Sequence, residues 1–119
     1  NVSTAREEAI VANQAFSRKD VRRYTTTAAA KINVLSAGTV KTIKNTNWML
    51  WHPEYADIYV MAGKTGYLNE SGWNLAVALR PDMKDEKREL LVVLFGATSR
   101  ATSFQDANAL ARWAWASYR

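Results

Sequence analysis

Ile58-Tyr59-Val60-Met61-Ala62-Gly63-Lys64-Thr65-Gly66-Tyr67 passes from an apolar run into a cation and a hydroxyl bracketed by glycines. The apolar residues predict a strand over 58–65, because continuous apolar character ending at glycine suits a buried strand better than a helix. Tyr67 to Gly72 is read as the link. Beyond it Trp73, Leu75, Val77 and Leu79 alternate with Asn74, Ala76, Ala78 and Arg80, the period of a half-buried strand. Pro81 to Lys87 is a charged turn, and Leu90 to Phe95 is an unbroken apolar run of the kind expected of a strand buried on both faces. These three segments predict an antiparallel meander.

Upstream, Thr4-Ala5-Arg6-Glu7 has the form of a capping box, followed by Ala5, Ala9, Ala12 and Phe16 at helical spacing. A first helix is expected from about Thr4 to Ser17, with one further turn over Asp20 to Tyr24. Thr25-Thr26-Thr27 then favours extended chain, since branched side chains lose rotamer freedom in helices. Lys31 to Leu35 and Thr39 to Lys44 flank Ser36-Ala37-Gly38 and are read as a surface hairpin. Asn45-Thr46-Asn47 is turn chemistry. Trp48-Met49-Leu50-Trp51 is an apolar patch closed by His52-Pro53 and expected to pack under a loop.

At the other end, Ser103-Phe104-Gln105-Asp106 is a second capping signal, with Ala107, Leu110, Ala111, Ala114 and Tyr118 on one face of a closing helix that can cover the sheet. Trp113 and Trp115 lie roughly 200° apart on such a helix, so one of them must flank the stripe or meet a partner.

A chain of 119 residues and 13.4 kDa has room for one domain, and 48% hydrophobic against 23% charged residues argues against disorder. No apolar stretch reaches the roughly 20 residues that span a bilayer. The absence of cysteine excludes disulfides and thiolate metal sites. His52 is the sole histidine and is read as a loop residue, so no metal and no cofactor is expected. The net charge of +5 is densest at Arg18, Lys19, Arg22 and Arg23, but no aromatic residues interleave with them. A solvated helix end is preferred there to a nucleic-acid partner.

A Lys-Thr-Gly triplet on a strand is one of the motifs of serine enzymes that cut D-alanyl peptides or bind penicillin, beside Ser-x-x-Lys and Ser-x-Asn segments. Neither companion occurs in these 119 residues. The context of the triplet strengthens it: Tyr67-Leu68-Asn69-Glu70-Ser71-Gly72-Trp73-Asn74-Leu75-Ala76, then Leu91-Val92-Val93-Leu94-Phe95-Gly96-Ala97 and a closing helix. With Asn1-Val2-Ser3-Thr4-Ala5-Arg6, Tyr24-Thr25-Thr26-Thr27 and Ile43-Lys44-Asn45-Thr46-Asn47, this order resembles the low-molecular-mass penicillin-binding proteins over nearly the whole chain. These are serine D-alanyl-D-alanine carboxypeptidases and endopeptidases.

The resemblance implies an α+β fold, a β-lactamase/transpeptidase-like antiparallel sheet flanked by helices. Residues 1–119 would be its later part, the C-terminal portion of one catalytic domain: the last three strands, a hairpin and the N- and C-terminal helices. The N-terminal half, carrying the nucleophile, would be a partner on the same polypeptide, and residues 1–119 alone would be inactive. By the same resemblance Lys64 supports the second motif's serine and attracts a substrate carboxylate, and Thr65 offers that carboxylate a hydroxyl. Gly66 leaves room for a peptide or β-lactam against the strand, and the Tyr67 backbone N–H supplies half of an oxyanion hole. Carboxypeptidases of this family often carry an arginine in an Ala-Arg-Phe context after the last strand. Thr102-Ser103-Phe104 stands there instead, so either Arg100 substitutes for it or an internal crosslink is preferred to a free terminus. The implied ligands are peptidoglycan stem peptides and β-lactams, and the implied location is the periplasm or cell wall. A noncatalytic module that binds a cell-wall peptide or a protein in the same groove is the alternative.

Overall fold

A computed structural model describes residues 2–118. The first helix, α1 (Ala5–Ala15), starts at the expected box: Thr4 Oγ1 accepts from the Glu7 N–H at 3.2 Å, and the Glu7 carboxylate accepts from the Thr4 N–H at 3.0 Å. It stops before Ser17, whose hydroxyl donates to the Gln14 carbonyl at 2.7 Å. A second helix, α2 (Lys19–Thr25), takes in Thr25 rather than leaving it extended. The next two threonines explain the difference, because their hydroxyls donate back to Arg22 and Arg23 carbonyls at 2.6 and 3.0 Å and tie off the helix end.

The hairpin pairs β1 (Ala29–Val34) with β2 (Thr39–Lys44) as a separate two-stranded sheet, with Gly38 at φ 63° in the turn. All its residues except Val34 are exposed. The Trp48 patch forms two short 3₁₀ turns, Trp48–Leu50 and Pro53–Tyr55, that bury Met49 and Tyr55.

The meander is present as β3 (Tyr59–Leu68), β4 (Gly72–Arg80) and β5 (Leu90–Ala97), antiparallel and in that spatial order. The first strand runs through the triplet, since Gly66, Tyr67 and Leu68 pair with Asn74, Trp73 and Gly72. Only Asn69, Glu70 and Ser71 remain as the link, with Gly72 at φ 69° against the Ala97 carbonyl. A bulge between Val60 and Ala62 shifts the β3 register by one residue.

A third helix, α3 (Arg100–Ser117), begins one turn earlier than expected: its N-cap is Ser99, whose Oγ accepts from the Thr102 N–H at 3.0 Å. Ser103 is instead buried and donates to the Arg100 carbonyl. Its inward stripe is therefore Ser103, Phe104, Ala107 and Ala111, and the expected Leu110 and Tyr118 are exposed. Trp115 joins the core and donates to the Arg88 carbonyl at 2.8 Å, whereas Trp113 lies on the surface against Tyr118.

Two cores result, one on each face of the sheet. On one face Leu75, Val77, Leu79 and Val92 pack with Phe104, Ala107, Ala111, Met49 and Tyr55. On the other, Ala62 and Ala78 meet Ala12 and Phe16. The last strand packs on both faces as expected, Leu90, Val92 and Leu94 against one core and Leu91 against the other, but only Val92 is fully buried, and Phe95, near its end, is 46% exposed. Where β4 ends, Arg80 and Arg22 both pair with Glu89, at 3.4 and 3.2 Å, joining α2 to the sheet.

Candidate active site

Among the described residues no strand pairs with the outer edge of β3. The Gly63 N–H points along that edge, donating to Thr25 Oγ1 at 3.3 Å. Antiparallel strands turn alternate residues' N–H groups to the same side, so the Thr65 and Tyr67 N–H groups face this edge too. Lys64 Nζ donates to the Thr65 carbonyl there.

The two glycines of the triplet region differ. A Cβ at Gly63 would stand 2.8 Å from Asn47 Nδ2, so the fold requires a bare backbone at that position. A Cβ at Gly66 would meet nothing within 4 Å. Packing does not demand glycine at 66.

Side-chain alternation sends Thr65 and Tyr67 to the α3 face and Lys64 to the α1 face. On the α3 face Thr65, Gly66 and Tyr67 line a hollow of about 180 Å³ with Thr46, Trp73 and Arg100, floored by Phe104. As the first residue of α3, Arg100 lays its guanidinium 4.9 Å from the Trp73 ring centre and 5.9 Å from that of Trp48. Trp73 packs in turn against Tyr67, at 4.3 Å between ring centres with the planes tilted by 32°. The Tyr67 hydroxyl donates to Asn69 Oδ1 at 2.7 Å, which leaves its backbone N–H as the group presented to the edge.

Lys64 is exposed and borders a second, mostly apolar groove of about 300 Å³, with Glu8, Val11, Phe16 and Phe95. Thr65 and Gly66 border both hollows. The structure thus gathers Thr65, Gly66, Tyr67 and Arg100 on one side of the strand and sets Lys64 on the other, all at one open edge.

Sequence reasoning missed Thr46, whose Oγ1 lies 2.7 Å from Thr65 Oγ1, and Trp73, the platform for Arg100. The signal for Thr46 was its position between two asparagines just before a helical turn. Asn45 is held through its Nδ2 by the Thr25 and Thr27 carbonyls at 3.2 and 3.1 Å, and Asn47 Oδ1 accepts from the Met49 N–H at 3.1 Å. Asp57, just ahead of β3, is tied to Arg112 of α3 at 2.7 Å, and that hydrogen bond holds its carboxyl below the usual range.

The arrangement defines a class of fold: it matches the C-terminal part of the transpeptidase fold, and the likeness to low-molecular-mass penicillin-binding proteins read in the sequence is shown. In particular, a variant of the Streptomyces K15 DD-transpeptidase superposes with a TM-score of 0.78 at 25% identity, covering 98% of this chain and 44% of the enzyme. The unaltered Streptomyces enzyme gives a TM-score of 0.73 at 24% identity, over 96% of this chain and 42% of its own. The chain therefore spans less than half the length of the solved structures it matches. No protein-family model and no curated protein matches it. No helix among the described residues is long and apolar enough to cross a membrane.

Proposed function

We propose that this chain forms one wall of a serine-type DD-peptidase site that acts on peptidoglycan stem peptides and is acylated by β-lactams, outside the cytoplasmic membrane. The observation that carries this reading is the fold-level match over 98% of the chain with Lys64-Thr65-Gly66 on an unpaired strand edge. The absence of any packing reason for Gly66 supports it, since open space beside a bare backbone lets an extended ligand lie along the strand. In this reading Lys64 supplies a fixed positive charge to the edge, and Thr65 and Arg100 hold the ligand's carboxylate. The outward N–H of Tyr67 stabilises the oxyanion of the tetrahedral intermediate.

The other half of the oxyanion hole and the attacking hydroxyl lie outside these residues in this reading, and the same polypeptide donates both. Half a hole without a nucleophile leaves residues 1–119 inert. Whether the natural reaction releases a terminal D-alanine or opens an internal crosslink turns on Arg100, which stands three residues before Ser103.

The test is covalent labelling with fluorescent penicillin. The full-length polypeptide labels, residues 1–119 alone do not, and Lys64→Ala in the full-length protein labels about 10²-fold more slowly, on the scale of losing one preorganised donor. Equal labelling of that variant removes Lys64 from the site. A full-length protein that never labels replaces the enzyme by a noncatalytic peptide-binding module.

A further inference from the structure

We infer that Thr46 is a positioning residue for the site, acting through Thr65; this rests on the carboxylate-binding reading proposed above. The two hydroxyl oxygens stand 2.7 Å apart, within hydrogen-bonding distance, yet they belong to different elements, the loop after β2 and the triplet strand. One proton must lie between them. If Thr65 donates it to Thr46, Thr65 has no proton left for a ligand. When Thr46 donates, Thr65 accepts and its own proton is free to point into the hollow beside Arg100. An arriving carboxylate selects the second arrangement, and a hydroxyl that accepts one hydrogen bond donates the next more strongly.

The loop is built to hold that separation. Thr46 is itself exposed, but its neighbours are pinned: the Asn47 N–H donates to Asn45 Oδ1 at 2.9 Å, and Trp51 Nε1 donates to the Asn45 carbonyl at 2.8 Å. Asn47 is 2% exposed, and its Nδ2 has no hydrogen-bond partner. That amide lies against Gly63, where a side chain would meet it at 2.8 Å. An unsatisfied buried amide costs stability. The bare backbone at Gly63 lets the buried Asn47 amide pack against the strand, next to the Thr46–Thr65 contact.

The experiment is acylation of the full-length protein by benzylpenicillin and by its methyl ester, with Thr46→Val, Thr46→Ser and Thr65→Val. Val keeps the shape of Thr and removes the donor. Thr46→Val is expected to slow acylation by the free acid by up to about tenfold, the scale of the one neutral hydrogen bond that aims the Thr65 hydroxyl, and Thr46→Ser to restore it. The ester, which lacks the carboxylate, should show little difference between Thr46→Val and the unaltered protein. With Thr65 already replaced by Val, adding Thr46→Val should cost nothing more. Equal rates for Thr46→Val and unaltered protein on the free acid, or equal losses on acid and ester, overturn the inference while leaving the site reading intact. An unaltered protein that is not acylated at all overturns the site reading, and this inference with it.

Discussion

On the α3 side of the sheet, Leu75, Val77, Leu79 and Val92 interlock with Phe104 and the 3₁₀ turns; on the α1 side, Ala62 and Ala78 meet Ala12 and Phe16. The first interface is made of large side chains and the second mainly of methyl groups. Buried apolar area sets the stabilisation, so α3 is held far more firmly than α1. The site straddles this asymmetry. Thr65, Tyr67 and Arg100 stand on the rigid side, whereas Lys64 stands over a helix held by fewer atoms.

The contrast can be broken most severely at Phe104, which is 1% exposed between Trp48 and Tyr55. Phe104→Ala should cost about 3–5 kcal/mol in urea unfolding, because the ring fills the centre of the larger core. A loss below the cost of an ordinary surface substitution would mean that this interface is not the main store of stability. Ala78→Leu asks the opposite question of the other face. There the methyl spacing is already closed, so overpacking should cost about 1–3 kcal/mol and push α1 away, detected as faster amide exchange in residues 5–15. The mildest change is Thr4→Ala, which removes the capping-box acceptor and should cost about 1 kcal/mol, with fraying confined to the first turn of α1. Spread of that fraying into α3 would show that the two faces are coupled more tightly than their packing suggests.

Much of this architecture was legible because its signals are local. The Thr4 box and the Gly38 hairpin each express a preference that tertiary packing leaves alone, whereas the alternation from Trp73 to Arg80, read as half-buried, gives a central strand buried on both faces from Val77 to Arg80. Errors arose where a longer-range partner decided. Ser103 has the composition of a cap, but Ser99 occupies that role because the strand before it ends at Ala97, and Ser103 then turns inward beside Phe104. The apolar run at Leu90 does face both cores, but apart from Val92 its side chains are at best partly covered. At the candidate site, Lys64, Thr65, Gly66 and Tyr67 are named from the triplet and its family resemblance, and Arg100 as the substitute for the arginine that resemblance expects. Thr46 and Trp73 reach the hollow only through pairing and loop closure, which no spacing rule encodes.

The bulge at Met61 has a further effect on the molecule. Val60 and Ala62 are two apart, yet they face opposite layers, so the slip reverses the parity of every later position on that strand. Upstream of it, even numbers point toward α3; downstream, odd numbers do. Deleting one residue there would exchange ammonium and hydroxyl across the strand while leaving the composition of the edge almost unchanged. The handedness of the wall is thus set by a single surplus residue lying outside the motif.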